Sequence, residues 1–120
     1  MKPAVTVLFA MLMAAAGFPA RAADDPLNGE RLAQTHCARC HVIGSFNRLG
    51  GIDSTPSFAT LLTLPDADNR FETFFARRPH PVFVRIPDNP RPSKLPPNAA
   101  AVPLSLQELS DLLAYVATLK

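Results

Sequence analysis

The chain has 120 residues, with 12 lysines and arginines against 10 aspartates and glutamates and a formal net charge of +2. That length makes a single domain, and a balance so near zero supplies no general attraction for nucleic acid or an anionic membrane surface. Residues 1–22 read as a secretory signal: Lys2 is a short basic region, Ala4 to Phe18 an apolar run, and Ala20-Arg21-Ala22 an A-x-A cleavage site. The apolar run is about 15 residues, short of the ~20 that span a bilayer, so a cleaved signal is favoured over a retained anchor. Cleavage leaves a mature domain of residues 23–120. It removes Lys2 and Arg21 from the 12 basic residues, so 10 face 10 acidic ones. It also removes Met1, Met11 and Met13, which are all the methionines of the chain.

The first helix is expected from Asp25-Pro26, an acidic N-cap followed by proline at the first helical position, running toward Cys37 with Leu27, Leu32 and Ala33 as apolar contacts. It ends in Cys37-Ala38-Arg39-Cys40-His41. Two thiols three positions apart, followed at once by an imidazole, have the spacing of c-type haem attachment. Each cysteine can add across one vinyl group of a haem, and the adjacent histidine is held where its ring nitrogen meets the iron. A structural zinc site is poorly supplied, because only His36, His41 and His80 are available beside the two thiols. A redox-active Cys-x-x-Cys pair belongs in an alternating strand and helix pattern, which this chain lacks. Haem c is therefore the expected cofactor, and exported, oxidising compartments are where it is attached. The signal points to the periplasm.

Downstream, a short helical turn is expected around Ser57 to Leu62. A second helix is expected from a cap at Asp66 or Asp68 through Phe71, Phe74 and Phe75, ended by Arg77-Arg78-Pro79. Residues 79–103 hold eight of the chain's 13 prolines and form a long connection, stiff and extended, of the kind that is usually functional or disordered. Phe83-Val84-Arg85-Ile86 within it is too short to carry a sheet. The last helix opens with Ser105-Leu106-Gln107-Glu108, a capping box, with Leu104 and Leu109 placed as a hydrophobic staple. It continues as a stripe of Leu109, Leu112, Leu113 and Val116. The fold class is all-α.

Asn28-Gly29-x-x-Leu32-Ala33, the haem pentapeptide, Pro56-Ser57-Phe58-Ala59 and Leu109-x-x-Leu112-Leu113-Ala114-Tyr115-Val116-x-x-Leu119 together resemble a small class I cytochrome c over most of the mature chain. The resemblance implies terminal helices that cross where Gly29 meets Tyr115. It implies His41 as proximal iron ligand, oriented by the backbone carbonyl of Pro56. It also implies one-electron transfer between redox partners, such as a periplasmic dehydrogenase and a terminal oxidase.

The departure is at the distal ligand, a methionine in the family. His80-Pro81-Val82-Phe83 resembles the His-Pro-x-Met pattern of some members, with phenylalanine in the ligand's place. Three outcomes stay open. His80 ligates the iron; Lys94 or Asn98 ligates it; or Phe83 caps an open five-coordinate iron that binds a small gas or peroxide. The reading for function is a periplasmic monohaem electron carrier, not an enzyme. The alternatives are a ligand-binding haem protein and a haem subunit of a dehydrogenase complex. Arg77, Arg78, Arg85, Arg91 and Lys94 face only Asp88 in the distal stretch, a basic rim suited to an acidic redox partner.

Overall fold

The computed structural model describes residues 22–90 and 100–120. Residues 1–21 of the expected signal 1–22, and the distal-ligand candidates Lys94 and Asn98 together with Arg91, lie outside the described residues. Helix α1 spans Pro26–Leu32, and its carbonyl ladder then widens into a π-helical turn over Ala33–Cys37. Asp25 caps it as its position suggests: the carboxylate accepts from the backbone N–H groups of Leu27 and Asn28, and Pro26 at the first position lacks only a donor that would go unused. The π turn is closed by Ala38 N–H donating to Ala33 O at 3.1 Å. This wider turn runs into the haem pentapeptide and ends at its first residue, Cys37.

Helix α2, Phe58–Leu62, is capped by the Ser57 hydroxyl, which accepts from Thr60 N–H. Helix α3 covers Ala67–Glu72 and is shorter than the phenylalanine spacing suggests. Thr73 leaves the helical region (φ −117°, ψ 15°), its hydroxyl donating back to Asn69 O at 2.6 Å, and Phe74–Ala76 follow as a separate 3-10 turn. Side-chain hydroxyls that bond the preceding turn compete with the helical ladder, which accounts for the break. A second 3-10 turn, His80–Val82, precedes strand β1, Val84–Arg85.

The Phe83–Ile86 segment does pair. β1 runs parallel to β2, Val102–Pro103, with Val102 N–H donating to Phe83 O and Leu104 N–H to Arg85 O. Two residues a side make a clasp rather than a sheet; it fastens the two ends of the proline-rich connection, and the fold stays helical.

Helix α4, Leu106–Thr118, carries the full capping box: Ser105 Oγ accepts from Glu108 N–H and the Glu108 carboxylate accepts from Ser105 N–H. Its buried face is Asp111, Leu112, Tyr115 and Val116; Leu109 and Leu113 of the apolar stripe are only half-buried. The face is turned by one position because α4 packs most extensively against α1, whose contact residue is Gly29. A Cβ on Gly29 would lie 2.0 Å from Asp111 O and 2.8 Å from Tyr115 Cβ, so only glycine permits this approach.

Two apolar clusters result. The larger joins Ala33, Ile43, Phe58, Phe71, Leu112, Tyr115 and Val116. The smaller joins Val84, Ile86 and Leu104 under the distal connection, and Phe74 packs against both. Leu104, placed as a staple by its sequence position, belongs to this second cluster.

Candidate functional site

Cys37 and Cys40 are both free thiols, with Cys37 packed against the larger cluster. Burial, with a smaller contribution from the neighbouring Cys40, pushes the Cys37 thiol up to about 11. Reactive cysteines of disulfide oxidoreductases have their thiolates stabilised, the opposite direction. Among the described residues, no three His, Cys, Asp or Glu side chains come together as a zinc site would require.

The chain holds the pentapeptide in place from three sides. Asn47 donates its amide hydrogens to Ala38 O (3.0 Å) and His41 O (2.8 Å) and accepts from Ile43 N–H (2.8 Å). Ile52 N–H donates to Cys40 O, and Phe58 N–H to Val42 O. Gly51 makes the first of these possible: its φ of +77° suits glycine, and a Cβ there would press on Cys40 O at 3.0 Å. These contacts close the loop between His41 and Pro56. Neither Asn47 nor Gly51 stands out in the sequence, since a loop asparagine and a loop glycine are ordinary; only the fold brings them onto the pentapeptide.

Within that loop, His41 Nδ1 lies 2.7 Å from Pro56 O. A carbonyl oxygen can only accept, so Nδ1 carries the proton and Nε2 keeps the lone pair that a metal needs. Phe58 meets the His41 ring edge-on, centroids 5.6 Å apart. His36 is exposed on the last turn of the first helical segment, away from this arrangement.

Across from His41 stands His80. The two ring centroids are 6.1 Å apart and the planes are parallel within 6°. His80 Nδ1 lies 2.9 Å from Arg77 O, so here too the proton is on Nδ1 and Nε2 is the free donor. Its ring is packed edge-on by Phe74 (5.4 Å) and touched by Phe83 (5.9 Å). Burial lowers the His80 pKa below the ordinary imidazole value, opposed in part by the bond to Arg77 O. Phe83 itself is half-buried and packs against the Val84, Ile86 and Leu104 cluster.

The arginines of the distal stretch are engaged locally. Arg77 donates to Thr73 Oγ1 (3.0 Å) and Asn69 Oδ1 (2.7 Å) at the end of α3. Arg85 donates to Val84 O (2.9 Å) and Val82 O (3.0 Å), bracing the turn that carries His80. All these hydrogen-bond acceptors are neutral, and Arg77 also lies near enough to Asp66 to help hold that carboxyl below its ordinary value, after the larger effect of Arg70.

Two thiols, an imidazole with a defined tautomer and a facing second imidazole, between clusters bridged by Phe74, form a donor set that fits a haem. Residues 27–120 match the family described as Cytochrome c. A curated relative, the protein named cytochrome c-552 from Bradyrhizobium diazoefficiens, is 33% identical over 98 residues, covering 82% of this chain and 78% of the relative. No solved structure matches the chain significantly.

Proposed function

Because the chain belongs to the cytochrome c family, we propose that it is an exported electron carrier of the bacterial periplasm, taking one electron from a protein donor and passing it to a protein acceptor. It carries one haem c, bound covalently through the two cysteines of its pentapeptide. When bound, that group supplies an iron that changes oxidation state by one electron. The rest of the work falls to the chain.

Cys37 and Cys40 fasten the haem, and His41 presents Nε2 to the iron. The observation that carries this reading is the 2.7 Å bond from His41 Nδ1–H to Pro56 O, inside a loop closed by Asn47 and Gly51. A proximal imidazole so held keeps its orientation and its basicity through the redox cycle. Export is supported by the signal pattern of residues 1–22. An acidic partner surface is supported by the run of basic residues Arg77, Arg78 and Arg85, which would steer such a protein onto the distal side. Among the described residues, no helix is long and apolar enough to cross a membrane.

The test is direct. The protein expressed with its signal and a haem maturation system should appear in the periplasmic fraction, keep its haem on a denaturing gel, and give a reversible one-electron wave in voltammetry. Its rate of exchange with an acidic redox protein should fall as salt is raised. A haem-loaded protein that shows no reversible couple but turns over peroxide rapidly would remove the carrier reading.

A further inference from the structure

We infer that His80 is the sixth ligand of the iron, so that this carrier holds its haem between two histidines in place of a histidine and a methionine. The inference rests on the haem-carrier reading above and adds the distal side to it. Residues 23–120 contain no methionine: Met1, Met11 and Met13 are the chain's complete set. The family's thioether donor has no counterpart in the domain.

Geometry singles out His80. The metal–imidazole bond is about 2.0 Å and a ring atom sits about 1.2 Å from the ring centroid, so two imidazoles on opposite sides of one iron would have centroids roughly 6.4 Å apart. His41 and His80 are separated by 6.1 Å. The planes agree within 6°, and each ring donates its Nδ1–H to a backbone carbonyl, Pro56 O on one side and Arg77 O on the other. A ligating histidine almost always makes this second bond. Both rings therefore keep an Nε2 lone pair, at a centroid separation that would accommodate one metal between them.

The distal ring is also held as firmly as the proximal one. Arg77 anchors its side chain to Asn69 and Thr73 while its carbonyl receives the His80 proton. Arg85 fixes the following turn through the carbonyls of Val82 and Val84, and Phe74 and Phe83 lie against the ring. His80 thus sits on a braced turn, which limits the motion a ligand would need in order to open the site. Phe83 takes the sequence position of the lost methionine but serves as packing beside the ligand. Two consequences follow. The potential lies below that of a histidine and methionine pair, because the thioether raises it; and carbon monoxide and peroxide find no vacant position.

The experiment is spectroscopy of the purified holoprotein and two variants. Ferric wild type should be entirely low-spin, with the rhombic EPR signal of near-parallel imidazole planes, and ferrous protein should not take up carbon monoxide. His80→Ala should become high-spin and bind carbon monoxide within mixing time, and added imidazole should restore the low-spin spectrum. His80→Met should remain low-spin with a raised midpoint potential, which covers the case in which the alanine variant fails to assemble. A high-spin wild type overturns the inference, as does a His80→Ala protein that stays low-spin without imidazole, which would point to Lys94 or Asn98. In either case covalent haem and a reversible one-electron wave in the same wild-type sample would leave the carrier reading standing; loss of that wave would fail the carrier reading whatever the ligand.

Discussion

Asn47 has the most to do for its size. Its single amide side chain satisfies two carbonyls of the haem pentapeptide and one amide just beyond it, and nothing else reaches all three. Net hydrogen bonds contribute about 1 kcal/mol each, and partners left unsatisfied cost more. Asn47→Ala is therefore expected to destabilise the holoprotein by roughly 2–3 kcal/mol, a fall of about 10 °C or more in Tm for a domain of this size. Thermal melts followed at the haem absorption band will read it; a change of under 2 °C would mean that the loop is held elsewhere. The same residue shows why a haem motif is more than five letters: the pentapeptide states the chemistry, and its neighbours state where the imidazole points.

Between elements, the contact of α1 with α4 is the critical one. Gly29→Ala would drive a methyl into the Asp111 carbonyl, and that atom belongs to helix backbone and has little room to give. The helices must separate, at a cost of about 3 kcal/mol or more; the yield of haem-bearing protein and its Tm should both fall sharply.

Asp111 fastens the same crossing. It is buried, and its carboxylate accepts from Asp25 N–H (2.8 Å), Asn28 Nδ2 (2.7 Å) and Gln107 Nε2 (2.9 Å). The Asp25 amide first, then the Asn28 side chain, hold its pKa below the ordinary 3.8. A carboxyl depressed by folding contributes stability above its unfolded value, and that contribution disappears as pH falls through the folded value. Asp111→Asn should thus cost roughly 2 kcal/mol at pH 7, and the gap between variant and wild type should narrow below about pH 3.5. Paired melts at pH 7 and pH 3 measure both; a gap that widens in acid would contradict the assignment.

For the whole molecule, the apolar interior is divided. One cluster lies beneath the terminal helices and the other beneath the distal connection; Phe74 spans them, and the two histidines face each other at the same level of the fold. Apart from Ala33, no described core residue is completely shielded from solvent. A domain of about 100 residues buries only ~65% of its unfolded surface, so a porphyrin placed here is a large share of its interior. The chain made without haem maturation is accordingly expected to lose most of its cooperative melt and to be cut rapidly by protease, while haem-loaded protein resists. An apoprotein with a sharp transition within a few degrees of the holoprotein would show that the two clusters suffice.

Local chemistry was legible in the order of residues. Asp25-Pro26, Ser57 and the Ser105–Glu108 capping box are short-range hydrogen-bond patterns that need no distant partner, and each caps a helix where its spacing places it. The haem pentapeptide is equally local, and the all-helical class follows from the same periodicities. Where the outcome hung on a neighbour far along the chain, spacing alone was insufficient. Val84–Arg85 becomes a strand only because Val102–Pro103 arrives beside it. Asp111 reads as a polar interruption of an apolar stripe until Asp25 and Asn28, more than 80 positions away, are seen to bond it. The distal side follows the same rule. Composition leaves the domain without a methionine and keeps His80, Lys94 or Asn98, and a vacancy capped by Phe83 all open, since the distance between two side chains 39 positions apart is not written in either. Tertiary packing set His80 parallel to His41 at 6.1 Å, and that separation is a property of the folded chain, not of the order of its residues.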